Sequence, residues 1–277
     1  MIRTSLGRLA AALALAAACA NPRATPADAE PPPVGVLVYN VHAGKDAAGR
    51  DNLQRVADVV TKANADVVLL QEVDKRTKRS GNVDQPAEYA RRTGYFVAFG
   101  RSLDYDGGEY GIAILSRWPI KRDTTIHLPV EPPQERSGGS YEPRVAMRVT
   151  IASPLGDIVA LNTHIDASGD DRWRRQEIKT IIALTHEQVR AGSRLLVGGD
   201  FNSTPESAVQ VELRASGMVD SWERCGTGQG LTYPADSSVK RIDYLFLMAG
   251  AACSRASVLA TDASDHRPVL FTVRFPK

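Results

Sequence analysis

Six runs of strand-forming residues each end on, or lead out of, a polar or ionisable side chain, and this recurrence constrains the chain more than any other feature. VGVLVY precedes Asn40, DVVLLQ precedes Glu72, and DIVALNT precedes His164. LLVGGDFN carries Asp200 and Asn202, RIDYLFL carries Asp243, and Ser264-Asp265-His266 stands just before the last apolar run. One Asn, Asp or Ser after a strand is ordinary turn chemistry, because the short side chain bonds its own backbone. Turns do not call for a Glu set against VVLL, nor for two histidines beside acids. These residue types bind hard cations, hold phosphate or move protons.

Between the runs lie polar turns, with no repeat of fixed short period. Strands are expected at 34–40, 66–71, 95–99, 110–116, 144–151, 157–163, 194–199, 242–247 and 268–274. The spacing of Leu53, Val56, Val59, Val60 and Ala63 predicts a helix with one buried face, as does that of Trp173, Ile178, Ile181, Ile182 and Val189. Many strands with few long helices imply an α/β (α+β) chain in which two packed sheets carry helices on their outer sides. The irregular segments 74–87, 100–109, 129–142 and 223–240 are rich in Gly, Pro, Ser and charge, and are expected to rim the site.

The first 20 residues read as an export signal, with Arg3 and Arg8 ahead of LAALALAAA and small residues up to Cys19 and Ala20. The apolar stretch is too short to span a bilayer. Cleavage after Ala20 and cleavage before Cys19 with lipid on that cysteine both fit, the latter giving membrane attachment. Residues 21–33 read as a Pro/Ala-rich tether and 34–277 as a single domain. The formal charge of +2 includes the two leader arginines. The remainder is therefore near neutral, which argues against a dedicated duplex-binding protein. Of three cysteines, Cys19 lies in the signal, and Cys225 with Cys253 form an even pair expected to bond in an oxidising compartment.

The motifs YNVH, LLQEVD, YGIAILS, NTHID, GGDFNSTP, RIDYLF and SDHRPV resemble those of the endonuclease/exonuclease/phosphatase superfamily, from about residue 34 to 275. Pancreatic deoxyribonuclease, apurinic endonucleases, sphingomyelinases and inositol polyphosphate 5-phosphatases belong to it. The resemblance implies a four-layer sandwich of two packed, mostly antiparallel β-sheets flanked by helices, and metal-dependent phosphoester hydrolysis. Likeness of fold does not choose the substrate.

A phosphodiester repels nucleophiles, so its hydrolysis needs a cation on the phosphoryl oxygens, an activated water and a stabilised leaving oxygen. Glu72 is the first candidate for the metal. Carboxylate oxygens suit Mg²⁺ or Mn²⁺, and the scarcity of Cys and of clustered His disfavours zinc. By resemblance, Asn40 and Asp265 assist Glu72. His266 is expected to meet Asp243, which would fix its tautomer, making it a candidate to activate water. The resemblance gives Asp200 the same task, and both assignments stay open. Asn202 can donate to a phosphoryl oxygen, His164 can protonate the leaving group or hold phosphate, and Arg144 resembles a phosphate-gripping arginine. Tyr110 and Asp166 are weaker candidates for substrate contact. His127, expected in a loop, and His186, on a helix, are given no role.

The basic run 75–79 would lie beside the metal and could grip further phosphates, with 91–93 and 172–175 as possible extensions. The leading reading is an exported Mg²⁺-dependent phosphodiesterase acting on nucleic acid or a phospholipid headgroup, expected as a monomer. The alternatives are a phosphomonoesterase for sugar or inositol phosphates, and a binding protein on the same fold.

Overall fold

The computed structural model describes residue 1 and residues 30–129, 142–248 and 250–276. The leader, Cys19, most of the tether and nearly all of the expected loop 129–142 lie outside the described residues.

Two six-stranded sheets face each other. The first contains β1 (Val34–Asn40), β2 (Val67–Lys75), β3 (Phe96–Tyr105), β4 (Gly108–Ser116), β11 (Ala252–Val258) and β12 (Val269–Arg274), in the order β11-β12-β1-β2-β4-β3. The second contains β5 (Ile120–His127), β6 (Val145–Ser153), β7 (Gly156–His164), β8 (Arg194–Asp200), β9 (Val219–Asp220) and β10 (Asp243–Leu247), in the order β5-β6-β7-β8-β10-β9. Only β1 with β2 and β7 with β8 run parallel; the other pairs are antiparallel.

The continuous apolar runs are explained by burial on both faces of each sheet. Along β1, Val36 and Val38 point into the core between the sheets, whereas Leu37 and Tyr39 join an outer core. There they meet Val56 and Val60 of α1 (Leu53–Ala63) and Tyr89 of α2 (Gln85–Thr93). Strand β8 alternates in the same way. Leu196 faces inward, while Leu195 and Val197 pack on Ile178 and Ile181 of α3 (Arg172–Arg190) and on Val209 and Leu213 of α4 (Ala208–Ala215). Helix layer, sheet, sheet, helix layer is the four-layer sandwich expected from the sequence.

Several expectations need correction. Residues 100–109 are not an irregular loop, because β3 and β4 continue into a hairpin that turns at Asp106 and Gly107, both with positive φ. Segment 74–87 contains the end of β2 and the start of α2. His127 ends β5 instead of lying in a loop. Cys225, at the end of α5 (Ser221–Cys225), forms the expected disulfide with Cys253 on β11, Cα to Cα 5.7 Å.

Candidate active site

Strand direction brings the polar residues to one edge of the sandwich. Asn40 ends β1, and Glu72 follows Gln71, the last β2 residue paired in parallel with β1, while His164 and Asp200 end the two parallel strands of the second sheet. Because β10 runs antiparallel to β8, its first residue arrives at that edge too. The register places His164 opposite Asp200, and Asp200 opposite Asp243, in one row across three strands. Gly199 makes this approach possible: its φ is +143°, and a Cβ there would come within 1.9 Å of the Thr163 carbonyl oxygen.

Glu72 sits in a β-bulge. Pairing of β2 with β4 shifts between Leu70 and Val73, and Glu72 itself has φ 57°, a left-handed conformation costing a carboxylate side chain roughly 1 kcal/mol or more. Asn162 of β7 reaches across from the other sheet and donates its amide to the Leu70 and Ala113 carbonyls at 2.8 and 2.9 Å. Its own Oδ1 accepts from Gln71 Nε2 at 2.7 Å. The strained bulge is thus held by a buried cross-sheet network. The sequence signal for Asn162 was the first letter of NTH, overshadowed by the histidine.

Asn40 is fully buried and works as a donor. Its Nδ2 bonds Glu72 Oε1 at 2.9 Å and Asp200 Oδ2 at 3.1 Å, and its Oδ1 accepts from the His42 backbone N–H at 3.0 Å. The carbonyl oxygen that would have to face a metal is therefore engaged. Ser264 Oγ donates to the Asn40 carbonyl at 2.8 Å and lies 3.3 Å from Asp265 Oδ1, which pins the Ser264-Asp265-His266 turn against β1.

His266 donates from Nδ1 to Asp243 Oδ2 at 3.0 Å, as the sequence implied, and its Nε2 lies 3.7 Å from Asp200 Oδ2. Burial opposes its charged form, but Asp243, Asp200 and Asp265 outweigh that and push it up to about 10. Burial and the nearby Asp243 raise Asp200 to about 7. On the other side, Arg144 Nη1 is 2.9 Å from His164 Nδ1. Arginine only donates, so Nδ1 of His164 is an acceptor and a neutral ring carries its proton on Nε2. The acceptor nearest that proton is Asp200 Oδ2 at 3.6 Å, because Asn202 Nδ2, 3.0 Å from Nε2, is itself a donor and bonds the Ile165 carbonyl at 2.9 Å. Burial, then Arg144 and His266, hold His164 well below its usual range. Asn202, with φ 43°, also bonds Asp200 Oδ1 through its backbone N–H at 2.9 Å.

These groups surround a cleft of about 590 Å³ lined by Glu72, Asp200, Asp265, His266, His164 and Asn202, with Arg144 and Tyr110 also in the wall. All ten expected site residues are therefore in or directly against one cleft. Asp166 is turned to other work, accepting from the Ser168 N–H at 2.8 Å in a turn. The residues missed are Tyr233, whose ring lies 4.7 Å from that of His266, and Glu142, paired with Arg144 at 2.9 Å. Glu177 was missed as well. It is buried on α3, accepting from the Asp166 N–H at 2.8 Å. A lone Tyr or Glu in a stretch read as loop or helix carries no signal of its own.

The basic run is mostly paired within the protein. Arg79 grips Asp74 with two bonds of 2.7 Å, Lys75 pairs with Glu109 at 2.8 Å, and Arg76 lies 3.5 Å from Asp84. Of the two possible extensions, Arg91 and Arg92 pair with Glu88, and Arg174 with Asp171. His186 bonds the Ser216 carbonyl at 2.9 Å, joining α3 to the end of α4.

A divalent cation suits the donor set. Glu72 and Asp265 both face the cleft, and Glu72 Oε2 has no donor among the described residues. Asp200, Asp243 and His266 form a second cluster able to hold a cation, with ligand atoms within 4.8 Å of one another. Asp243 and His266 are already bonded to each other, which favours the Glu72 side.

Known proteins agree with the geometry. The uncharacterised protein YbhP of Escherichia coli is 27% identical over 247 residues, covering 84% of this chain and 93% of that protein. An inositol phosphosphingolipids phospholipase C of Schizosaccharomyces pombe is 25% identical over 182 residues, 62% of this chain and 41% of that one. The structure of a Bacteroides thetaiotaomicron mannosyl-6-phosphatase superposes with a TM-score of 0.70 at 20% identity, covering 87% of this chain and all of that one. The profile of the Endonuclease/Exonuclease/phosphatase family matches residues 37–266, and the chain belongs to that family of metal-dependent phosphoester hydrolases.

Proposed function

We propose that the protein is an exported, Mg²⁺-dependent phosphodiesterase. The observation that carries the diester reading is the charge balance of the cleft. Arg79, Arg144 and Arg174 face it, but each is paired with a carboxylate, Asp74, Glu142 and Asp171 respectively. Glu72, Asp200 and Asp265 add negative charge, and Lys240 is the one lining Lys or Arg with no carboxylate partner among the described residues. A monoanionic diester is accommodated there with less repulsion than a dianionic monoester. The phospholipase C among the relatives acts on a diester and supports the same reading.

Glu72 and Asp265 would hold the cation, with Asn40 fixing Glu72 by its amide. Bound there, Mg²⁺ supplies Lewis-acid polarisation of the phosphoryl oxygens. Asp200, braced by Asn40 and by the Asn202 backbone N–H, orients and deprotonates the attacking water. His266, oriented by Asp243, turns Nε2 toward the phosphoryl oxygens, and the Asn202 amide donates beside it. His164 presents its Nε2 proton, while Arg144 holds the ring and Glu142 holds Arg144. The disulfide supports an oxidising, extracytoplasmic location.

The test uses purified mature protein with EDTA, Mg²⁺ or Mn²⁺ on plasmid DNA, bis(p-nitrophenyl) phosphate and p-nitrophenyl phosphate. Metal-dependent hydrolysis of the diester without the monoester is expected. Nicking of plasmid would make nucleic acid the substrate class, and an intact plasmid would favour lipid or small diesters. Preference for the monoester would overturn the diester reading in favour of a sugar or inositol phosphatase. Mass spectrometry of the mature N-terminus tests export, since cleavage after Ala20 and lipid on Cys19 give different masses. An intact Met1 in protein recovered from its source cell would sink it.

A further inference from the structure

A second open cavity of about 650 Å³, walled by parts of the 225–238 segment and of β11, shares no lining residue with the catalytic cleft, and no step of the proposed reaction uses it. Its lining contains no acidic residue and two arginines, Arg255 of β11 and Arg267. Neither arginine has a carboxylate partner among the described residues. Arg267 spends only Nε, on the Ala235 carbonyl at 2.6 Å, which leaves the outer guanidinium nitrogens unengaged. Every cationic wall of the catalytic cleft apart from Lys240 is neutralised by an acid, so an acid-free pair of guanidiniums in one cavity is a different electrostatic environment.

The remaining lining defines the ligand. Thr227, Ser238 and Gln229 offer hydroxyl and amide groups, while Trp222, Leu231 and Val258 offer apolar surface. Guanidinium groups match the tetrahedral oxygens of phosphate, and the apolar part matches an organic body attached to it. We propose that this cavity is a second binding site, for a small organic phosphate monoester whose phosphate is held by Arg255 and Arg267. The site is wired to the catalytic turn. Arg267 follows His266 directly, its N–H donates to the Thr232 carbonyl at 2.8 Å, and the Ala235 N–H donates to the Asp265 carbonyl at 2.7 Å. A ligand on Arg267 therefore pulls on the backbone that carries Asp265, His266 and Tyr233.

Phenyl phosphate is the probe, titrated by calorimetry in EDTA against wild type, Arg255→Gln, Arg255→Gln/Arg267→Gln and, as a control in the catalytic cleft, His164→Ala. Arg255 is exposed on an edge strand and away from the catalytic cleft. Its substitution is expected to weaken binding at least tenfold while leaving hydrolysis of bis(p-nitrophenyl) phosphate within twofold of wild type. If the double variant fails to fold, the single variant carries the test. Equal affinity in wild type and Arg255→Gln overturns the proposal. So does a loss confined to His164→Ala, which would place the probe in the catalytic cleft. Binding to this cavity does not depend on the diester reading, so failure of one leaves the other standing.

Discussion

Glu177→Gln should make the protein more resistant to alkaline conditions, and the size of the effect follows from where the carboxyl sits. Glu177 is fully buried on α3, with Oε2 accepting from the Asp166 N–H and Oε1 without a partner. Burial raises its pKa from an ordinary 4.5 to about 8, against the Asp166 N–H and the charge of Arg144, which lower it. In the unfolded chain the group ionises near its ordinary value. The neutral form therefore suits the native state, and its contribution is fully present below pH 4.5 and is lost as pH rises through about 8. Each tenfold change in proton affinity corresponds to about 1.4 kcal/mol, so the ceiling of the loss is about 5 kcal/mol. Relaxation around the ionised carboxylate should reduce it to roughly 2–3 kcal/mol, since buried charges behave as if in a dielectric well above that of dry protein. The assay is urea unfolding of wild type and variant at pH 5 and pH 9. Glutamine leaves its own amide group unpaired, but that penalty is nearly the same at both pH values. The change in ΔΔG between them isolates the ionisation, because every other ionisable group is common to both proteins and cancels. The variant should gain roughly 2–3 kcal/mol on wild type from pH 5 to pH 9. A difference under about 0.5 kcal/mol would refute the reasoning.

Three further outcomes follow. Glu72→Gln should lose at least two orders of magnitude in diester hydrolysis with an unchanged unfolding transition, because the amide keeps the shape at the bulge and removes the charge; activity equal to wild type would sink the metal assignment. Asp243→Asn should reduce kcat about 10²- to 10⁴-fold by releasing His266 Nδ1 from its acceptor, with a smaller change in KM, measured on bis(p-nitrophenyl) phosphate. Cys225→Ser/Cys253→Ser removes a link spanning 28 residues and should lower unfolding free energy by about 3–4 kcal/mol in urea titrations.

How far the sequence could be read depends on where each strand lies in its sheet. The interior strands β1, β2, β7 and β8 were all predicted from sequence, because burial on both faces forces an unbroken apolar run. The misses are the edges. Strand β5, IKRDTTIH, carries three charged residues in a row, and β11, ACSRASV, is largely exposed. Strand β9 has two residues, and only the first half of β3 was anticipated. An edge strand with one solvated side needs no apolar run and is protected from pairing with other chains by its charges, so the pattern that reveals a strand is the one it lacks. Helices α2 and α4 escaped for a related reason: they are short, nine and eight residues, and each buries a glutamine among its three buried residues, so neither shows a sustained apolar spacing.

The same logic explains why the site was legible while its supports were not. A polar residue at the end of an interior strand interrupts an apolar run, and that interruption is visible in one dimension. Asn40, Glu72, His164, Asp200 and Asp243 each do this, and parallel or antiparallel register then brings them to one edge. Tyr233 and Glu142 reach the same region from segments with no periodic background against which to stand out, and Glu177 comes from a readable helix in which one more charged residue looks like part of the solvent face. Asn162 is the intermediate case. It lies inside a readable strand, yet its task is to satisfy the Leu70 and Ala113 carbonyls of the opposite sheet, a need created only when the two sheets meet at the Glu72 bulge. Residues that act on the substrate were therefore encoded locally, whereas residues that hold them in place were encoded only through the packing of one sheet on the other.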